Sequence, residues 1–233
     1  MKFCQRPLGR EIVIGVLVVS LWGCVSTPSP RMPAVFGLSR DKAAVTVTPL
    51  VQWSAYQTLG LVIHSDSTGS GAAPAISSPL LSTLSERIQA YLRQHCAISE
   101  VKHIPRHEIE WGSFSSLLNA AQKYQVEAVL VALFSSTESM QADTFGEERM
   151  MTHMPGTTTS SMALVELALV NVEQGAIVHS VDKTAVEHMD RLTVPIGQDQ
   201  GTLEEALDIL RANSGQQALD DALQDLTHGC AAG

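Results

Sequence analysis

Aromatic residues are scarce: Phe, Trp and Tyr together make up 5% of the 233 residues. Any core must therefore be aliphatic, and the 45% apolar content supplies the Leu, Val, Ile and Ala for it. Positive charge is also in short supply, with 15 Lys and Arg against 24 Asp and Glu. So acidic a chain repels phosphate backbones and anionic lipid, and no basic stripe with interleaved aromatics offsets this, which argues against nucleic acid as a partner. Charged residues amount to only 17%, a balance that suits a folded chain better than a disordered one. The length suits a domain with a substantial core. No G-x-S-x-G elbow, H-E-x-x-H helix, G-x-x-x-x-G-K-S/T loop or dinucleotide fingerprint is present, so no catalytic constellation and no cofactor is expected.

What is present begins at the N-terminus. Residues 1–10 (MKFCQRPLGR) carry Lys2, Arg6 and Arg10, and Ile12–Trp22 (IVIGVLVVSLW) follows without a charge. That stretch is too short for a spanning helix, which needs about 20 apolar residues. A basic segment ahead of it is the layout of a signal peptide. The stretch ends on Leu21-Trp22-Gly23-Cys24. This resembles the lipobox of bacterial lipoproteins, in which an aliphatic residue, a small residue and Gly or Ala precede the Cys that is acylated before cleavage. Trp22 departs from the pattern, since a small residue is usual there. The resemblance implies a signal peptide over 1–23, lipidation of Cys24, and a membrane tether through that acylated cysteine. The competing reading is an uncleaved N-terminal anchor with an incidental cysteine.

Residues 24–56 then form a lipidated tether and linker. Pro28, Pro30 and Pro33 keep its start extended. In lipoproteins of the enterobacterial kind, Asp directly after the cysteine retains the protein at the inner membrane. Val25 stands there, so the resemblance implies the outer membrane, facing the periplasm. Cleavage would remove Lys2, Arg6, Arg10 and Glu11, leaving 12 basic and 23 acidic side chains and a net charge of −11. Of the 4 cysteines, Cys4 would leave with the signal peptide and Cys24 would carry lipid. Cys96 and Cys230 remain, and an exported compartment permits a bridge between them. The alternative is two unpaired thiols.

A single domain is expected over 57–228, with a short tail at 229–233. Thr58–His64 (TLGLVIH) reads as a buried strand, and Ser65–Ser77 as a loop rich in Ser and Gly. Ser78-Pro79 opens an amphipathic helix through residue 95. Glu100–Ile104 reads as a strand stopped by Pro105, and Ser113–Tyr124 as a helix. Val126–Phe134 is the clearest central strand. Ser135–Ser161 reads as a long polar loop, followed by strands at Met162–Val172 and Ala176–His188 around the turn Glu173-Gln174-Gly175. Thr202-x-x-Glu205 has a capping-box pattern and opens a C-terminal helix with a weak point at Gly215. Ala43–Val51 is a candidate edge strand, and Trp53 and Tyr56 are candidates to pack on the domain. The order β-α-β-α-β-β-β-α predicts an α/β (α+β) fold, a mixed sheet with helices packed on it.

Three stretches, TLGLVIH, AAQKYQVEAVLVALF and ALVELALVNVEQGAIVHS, resemble the periplasmic domains of the curli-secretion lipoprotein, the penicillin-binding-protein activator lipoprotein and the Tol translocation protein's N-terminal domain. The resemblance spans roughly residues 57–226. The strand EVKHIP and the C-terminal helix also resemble the rhombotarget lipoproteins. These likenesses are at the level of pattern and transfer no catalytic residue.

Among the 8 histidines, His103 and His107 have helical ligand spacing, but Pro105 between them argues against a helix. Met151, His153 and Met154 form a Met/His cluster of the sort that suits Cu(I), or alternatively a set of packing methionines. The expected loop 135–161 offers Met140, Phe145, Met150, Met151 and Met154 as apolar contact points for an envelope protein partner, or is a flexible excursion. His64-Ser65-Asp66 brings three polar types together, but sequence neighbours cannot adopt triad geometry. The leading expectation is a membrane-tethered, non-enzymatic protein-binding module of the cell envelope. Its rivals are a subunit of an oligomeric secretion or pore assembly, against which the expected loop lacked alternating strands, an envelope copper-handling protein, and an envelope enzyme.

Overall fold

Thr58–Asp66 (TLGLVIHSD) is buried almost throughout, which is what a near-continuous apolar run produces in a parallel sheet covered on both faces. It forms β1. The computed structural model describes residues 53–68, 72–96, 98–145, 154–192 and 200–228, together with Met32, Phe36 and Cys230. After β1 the chain forms α1 (Ser78–His95), β2 (Glu100–His103), α2 (Phe114–Lys123), β3 (Ala128–Phe145), β4 (Met154–Asn171), β5 (Ala176–Leu192) and α3 (Gln200–Thr227). This is the element order expected from the sequence. The segment Ala43–Val51 lies outside the described residues.

The strands form one sheet in the order β2-β1-β3-β4-β5. β1 runs parallel to β2 and to β3, with Thr58 opposite Glu100 and Leu59 opposite Ala128. The crossover from β1 through α1 to β2 moves one way across the sheet, and the crossover from β2 through α2 to β3 moves back past β1. Since both favour the right-handed sense, their helices fall on opposite faces of the sheet. The packing agrees: Leu84, Ile88 and Leu92 of α1 join Leu59, Leu61 and Ile63 in one core. Leu117, Ala120 and Ala121 of α2 join Val62, Val129 and Val131 in the other. α3 lies beside α1, where Ala218, Leu219, Ala222, Leu223 and Leu226 cover Leu167 and Leu169. Trp53 is buried in that same core, and Tyr56 packs against its border.

Local signals explain most element ends. Pro at the start of α1 suits a helix's first turn, and the Ser113 hydroxyl accepts from the Ser116 N–H at the start of α2. Gly175 adopts φ 58° in the β4–β5 turn, where the Gln174 N–H also donates to Asn171 Oδ1 at 2.8 Å. α3 departs from expectation twice. It begins at Gln200, ahead of the capping box at Thr202, and it runs unbroken through Gly215 for 28 residues. Gly215 faces Ile76 and Phe134, and a Cβ there would make only ordinary contacts at 3.5 Å, so the glycine neither breaks the helix nor is demanded by packing.

Candidate functional site

The largest correction concerns residues 135–161. Residues 135–145 and 154–161 are strand, not loop, while 146–153 lie outside the described residues: β3 and β4 continue as an antiparallel pair, in register from Ala128–Asn171 out to Phe145–Met154. β5 accompanies them, pairing as far as Gly156–Leu192. The expectation failed because the outer half has no apolar period. Ser135, Thr137, Ser139 and Gln141 alternate with Ser136, Glu138 and Met140, so both faces are polar. Thr157-Thr158-Thr159 supply β propensity without hydrophobicity. Met140 stands on this ribbon with 61% of its surface exposed. Phe145 and Met154 are opposite each other at its far end. Met150, Met151 and His153 lie outside the described residues.

Where the ribbon leaves the core, it is held by α3. The Arg211 guanidinium, 4% exposed, forms an ion pair with Glu138 of β3, and Asp208 lies 3.9 Å from its other nitrogen. Asp208 also accepts from the Ser77 N–H at 3.2 Å, tying the start of α1 to the same cluster. Ser161 and Ser214 hydroxyls meet at 3.2 Å nearby. Further along, Lys183 of β5 pairs with Asp225 of α3. Apart from Asp208, three residues from Arg211 on the same helix, none of these partners is close in sequence, so periodicity gave no hint of them.

The opposite face carries a second polar cluster. β1 places His64 and Asp66 on the α2 side and turns Ser65 to the other, where its hydroxyl accepts from the Ile76 N–H at 2.9 Å. The expected absence of a triad is thus a matter of strand alternation. His64 stacks on Trp111 at 4.5 Å between ring centroids. Its pKa falls to about 4, chiefly through burial and secondarily through the positive charge of Arg106, with Asp66 opposing. At neutral pH the ring is uncharged. Glu166 of β4, 4% exposed, accepts from the Met32 N–H at 2.9 Å and so fixes that point of the N-terminal segment to the sheet.

His103 ends β2 and His107 lies in a 3-10 turn at Arg106–Glu108, both exposed and separated by Pro105. Among the described residues no three His, Cys, Asp or Glu side chains are grouped to hold a metal ion. A shallow groove of about 450 Å³ between α1 and α3 is lined by Arg87, Ala90, Tyr91, Gln94, Asp220 and Gln224. The Arg87–Asp220 fork, with both contacts at 2.6 Å, spans it. Cys96 and Cys230 are joined as a disulfide with Cα atoms 4.8 Å apart, fastening the chain beyond α3 to the end of α1. Cys24 lies outside the described residues. No described helix is long and apolar enough to cross a membrane.

No family model matches the sequence, and no curated protein matches it. The structure is similar to several solved ones at low identity. One, from Helicobacter pylori, is described as a homologue of the neuraminyllactose-binding hemagglutinin: 11% identity, 74% of this chain and 83% of that one, TM-score 0.42. Another is the PelC dodecamer from Paraburkholderia phytofirmans, with 14% identity, 70% and 86% coverage and TM-score 0.29. A third is the rare lipoprotein B from Shewanella oneidensis, with 15% identity, 72% and 92% coverage and TM-score 0.29.

Proposed function

We propose that the chain is an exported, lipid-tethered accessory protein of the cell envelope, anchored through Cys24 and acting by binding another envelope protein. The observation that carries this reading is the order at the N-terminus: basic residues, an uncharged apolar stretch, then Leu21-Trp22-Gly23-Cys24. The Cys96–Cys230 bridge supports it independently, because such bridges persist in oxidising, exported compartments. The contact element is the outer part of the β3–β4 ribbon, which exposes Met140. The penicillin-binding-protein activator and curli-secretion resemblances suit such a role, with no residue carried over from them.

The rival reading, a membrane-crossing secretion subunit, gains strands of 18 residues, long enough to span, but the objection from alternation stands. A lipid-crossing strand needs one apolar face, and the outer half of the ribbon is polar on both.

Metabolic labelling with palmitate tests the anchor. The unsubstituted protein takes up label and sediments with membranes, while Cys24→Ala takes up none and is released. Equal labelling of both, or none of either, contradicts the proposal.

A further inference from the structure

β5 is the last strand of the sheet, and among the described residues no strand pairs with its outer side. It is 17 residues long. Its register against β4 is uninterrupted from His179 to Leu192, because the single shift falls beside Leu169 and Val170, close to the turn. Neither proline nor glycine interrupts it. An edge of this length is a template for another strand unless shortness, proline, a bulge or charged side chains blunt it. The first three do not act on its distal part; charges do, at Asp182, Lys183, Glu187, Asp190 and Arg191, so that edge admits a strand whose charges match them.

We propose that β5 is a self-association edge: two copies of this chain pair their β5 strands antiparallel about a two-fold axis at Ala185, forming one ten-stranded sheet. Charge and the length of overlap together select the register. Directly opposed residues share a face, and a two-fold axis normal to the sheet keeps each residue on its own face. The axis must therefore pass through a residue position. With the axis at Ala185, Lys183 lies opposite Glu187, Asp182 opposite His188, Thr184 opposite Val186 and Val181 opposite Met189. Moved to Val186, it opposes Asp182 to Asp190; moved to Glu187, Lys183 meets Arg191 and Glu187 meets itself. At Asp182 or Lys183 the axial residue meets its own charge, and at Val181, Thr184 or His188 no acid faces a base. Ala185 and Met189 are the two positions at which an acid faces Lys or Arg while no two acids and no two of Lys and Arg are opposed (at Met189, Glu187 faces Arg191); of the two, Ala185 pairs residues 178–192 of the described strand and Met189 only 186–192.

The surroundings fit this axis. Ala185 is buried on the α3 side and is small enough for two copies to meet there. α3 overlies β4 and β5. With strands about 4.8 Å apart, the two copies of α3 come to about 10 Å from each other, the normal spacing of packed helices. On the other face, Val186, 39% exposed, gains the β-branched Thr184 of the second copy as a neighbour. Lys183, already paired with Asp225, becomes shared with Glu187 of the second copy.

The test uses the full chain extracted from membranes in detergent, as Ala185→Cys and, separately, Val181→Cys. Under mild oxidation Ala185→Cys gives a disulfide-linked species of twice the mass on a non-reducing gel. Val181→Cys, opposite Met189 in the proposed register, does not, and it controls for every native cysteine. Adding Glu187→Lys, which sets lysine against Lys183, lowers the Ala185→Cys cross-link at least five-fold while the urea midpoint stays unchanged. Light scattering on the unsubstituted protein gives two chains per particle. A single-chain particle, or cross-linking as efficient at 181 as at 185, overturns the proposal.

Discussion

His64 shows how one buried side chain makes stability depend on pH. Its folded pKa of about 4 lies below the ordinary 6.5, so the unfolded chain binds the proton first. Stability from this group is present above pH 6.5 and is lost as the pH falls toward 4, by roughly 3 kcal/mol at most. Urea midpoints measured from pH 7.5 to 4.5 will show this loss. His64→Phe, which keeps an aromatic ring against Trp111, will flatten it; an unchanged slope in that variant would contradict the assignment. Arg211 makes a second single-residue case. Glu138→Ala leaves its guanidinium buried at 4% exposure without its strongest partner, which costs about 3 kcal/mol in chemical unfolding. A loss below about 0.5 kcal/mol would mean that Asp208 and solvent compensate. His64 stands out in the sequence only beside Ser65 and Asp66, not for its stack on Trp111, and Arg211 not at all, since its partner Glu138 is 73 positions away and only the fold brings them together.

At the level of elements, two glycines predict opposite outcomes. A Cβ on Gly60 in β1 would meet Ile104 Cδ1 at 2.7 Å and Val126 Cγ2 at 3.1 Å, inside a core with no slack. Gly60→Ala is therefore destabilising by about 1–3 kcal/mol. A Cβ on Gly215 meets Ile76 and Phe134 at 3.5 Å, an ordinary contact, while alanine favours the helix. Gly215→Ala is stabilising by about 0.5–1 kcal/mol. Paired thermal melts decide both signs. The same elements show what the sequence makes legible. β1, α1, β2, α2, the inner halves of β3 and β4 and β5 as far as His188 are readable because apolar residues recur at the period of each element. The outer halves of β3 and β4 are not, because Ser, Thr and Gln there form a strand through ladder hydrogen bonds alone. Gly215 misled for a related reason: helix propensity is local, whereas its neighbours Ile76 and Phe134 belong to other elements.

In the whole molecule, the proposed tether at Cys24 stands at one end and the disulfide fastens the domain at the other. The Cys96–Cys230 bridge links positions 134 apart, so it restrains a large part of the unfolded chain. Cys230→Ser should lower stability by about 2–4 kcal/mol, and reduction of the unsubstituted protein should do the same. The most direct measurement is the intact mass of the membrane-extracted protein, taken with and without reductant beside Cys24→Ala. The account predicts a chain beginning at Cys24, heavier by its acyl groups, that takes up alkylating reagent at two cysteines only after reduction; the variant lacks the acyl mass. A chain that keeps residues 1–23, carries no lipid and alkylates freely at Cys96 and Cys230 would contradict it.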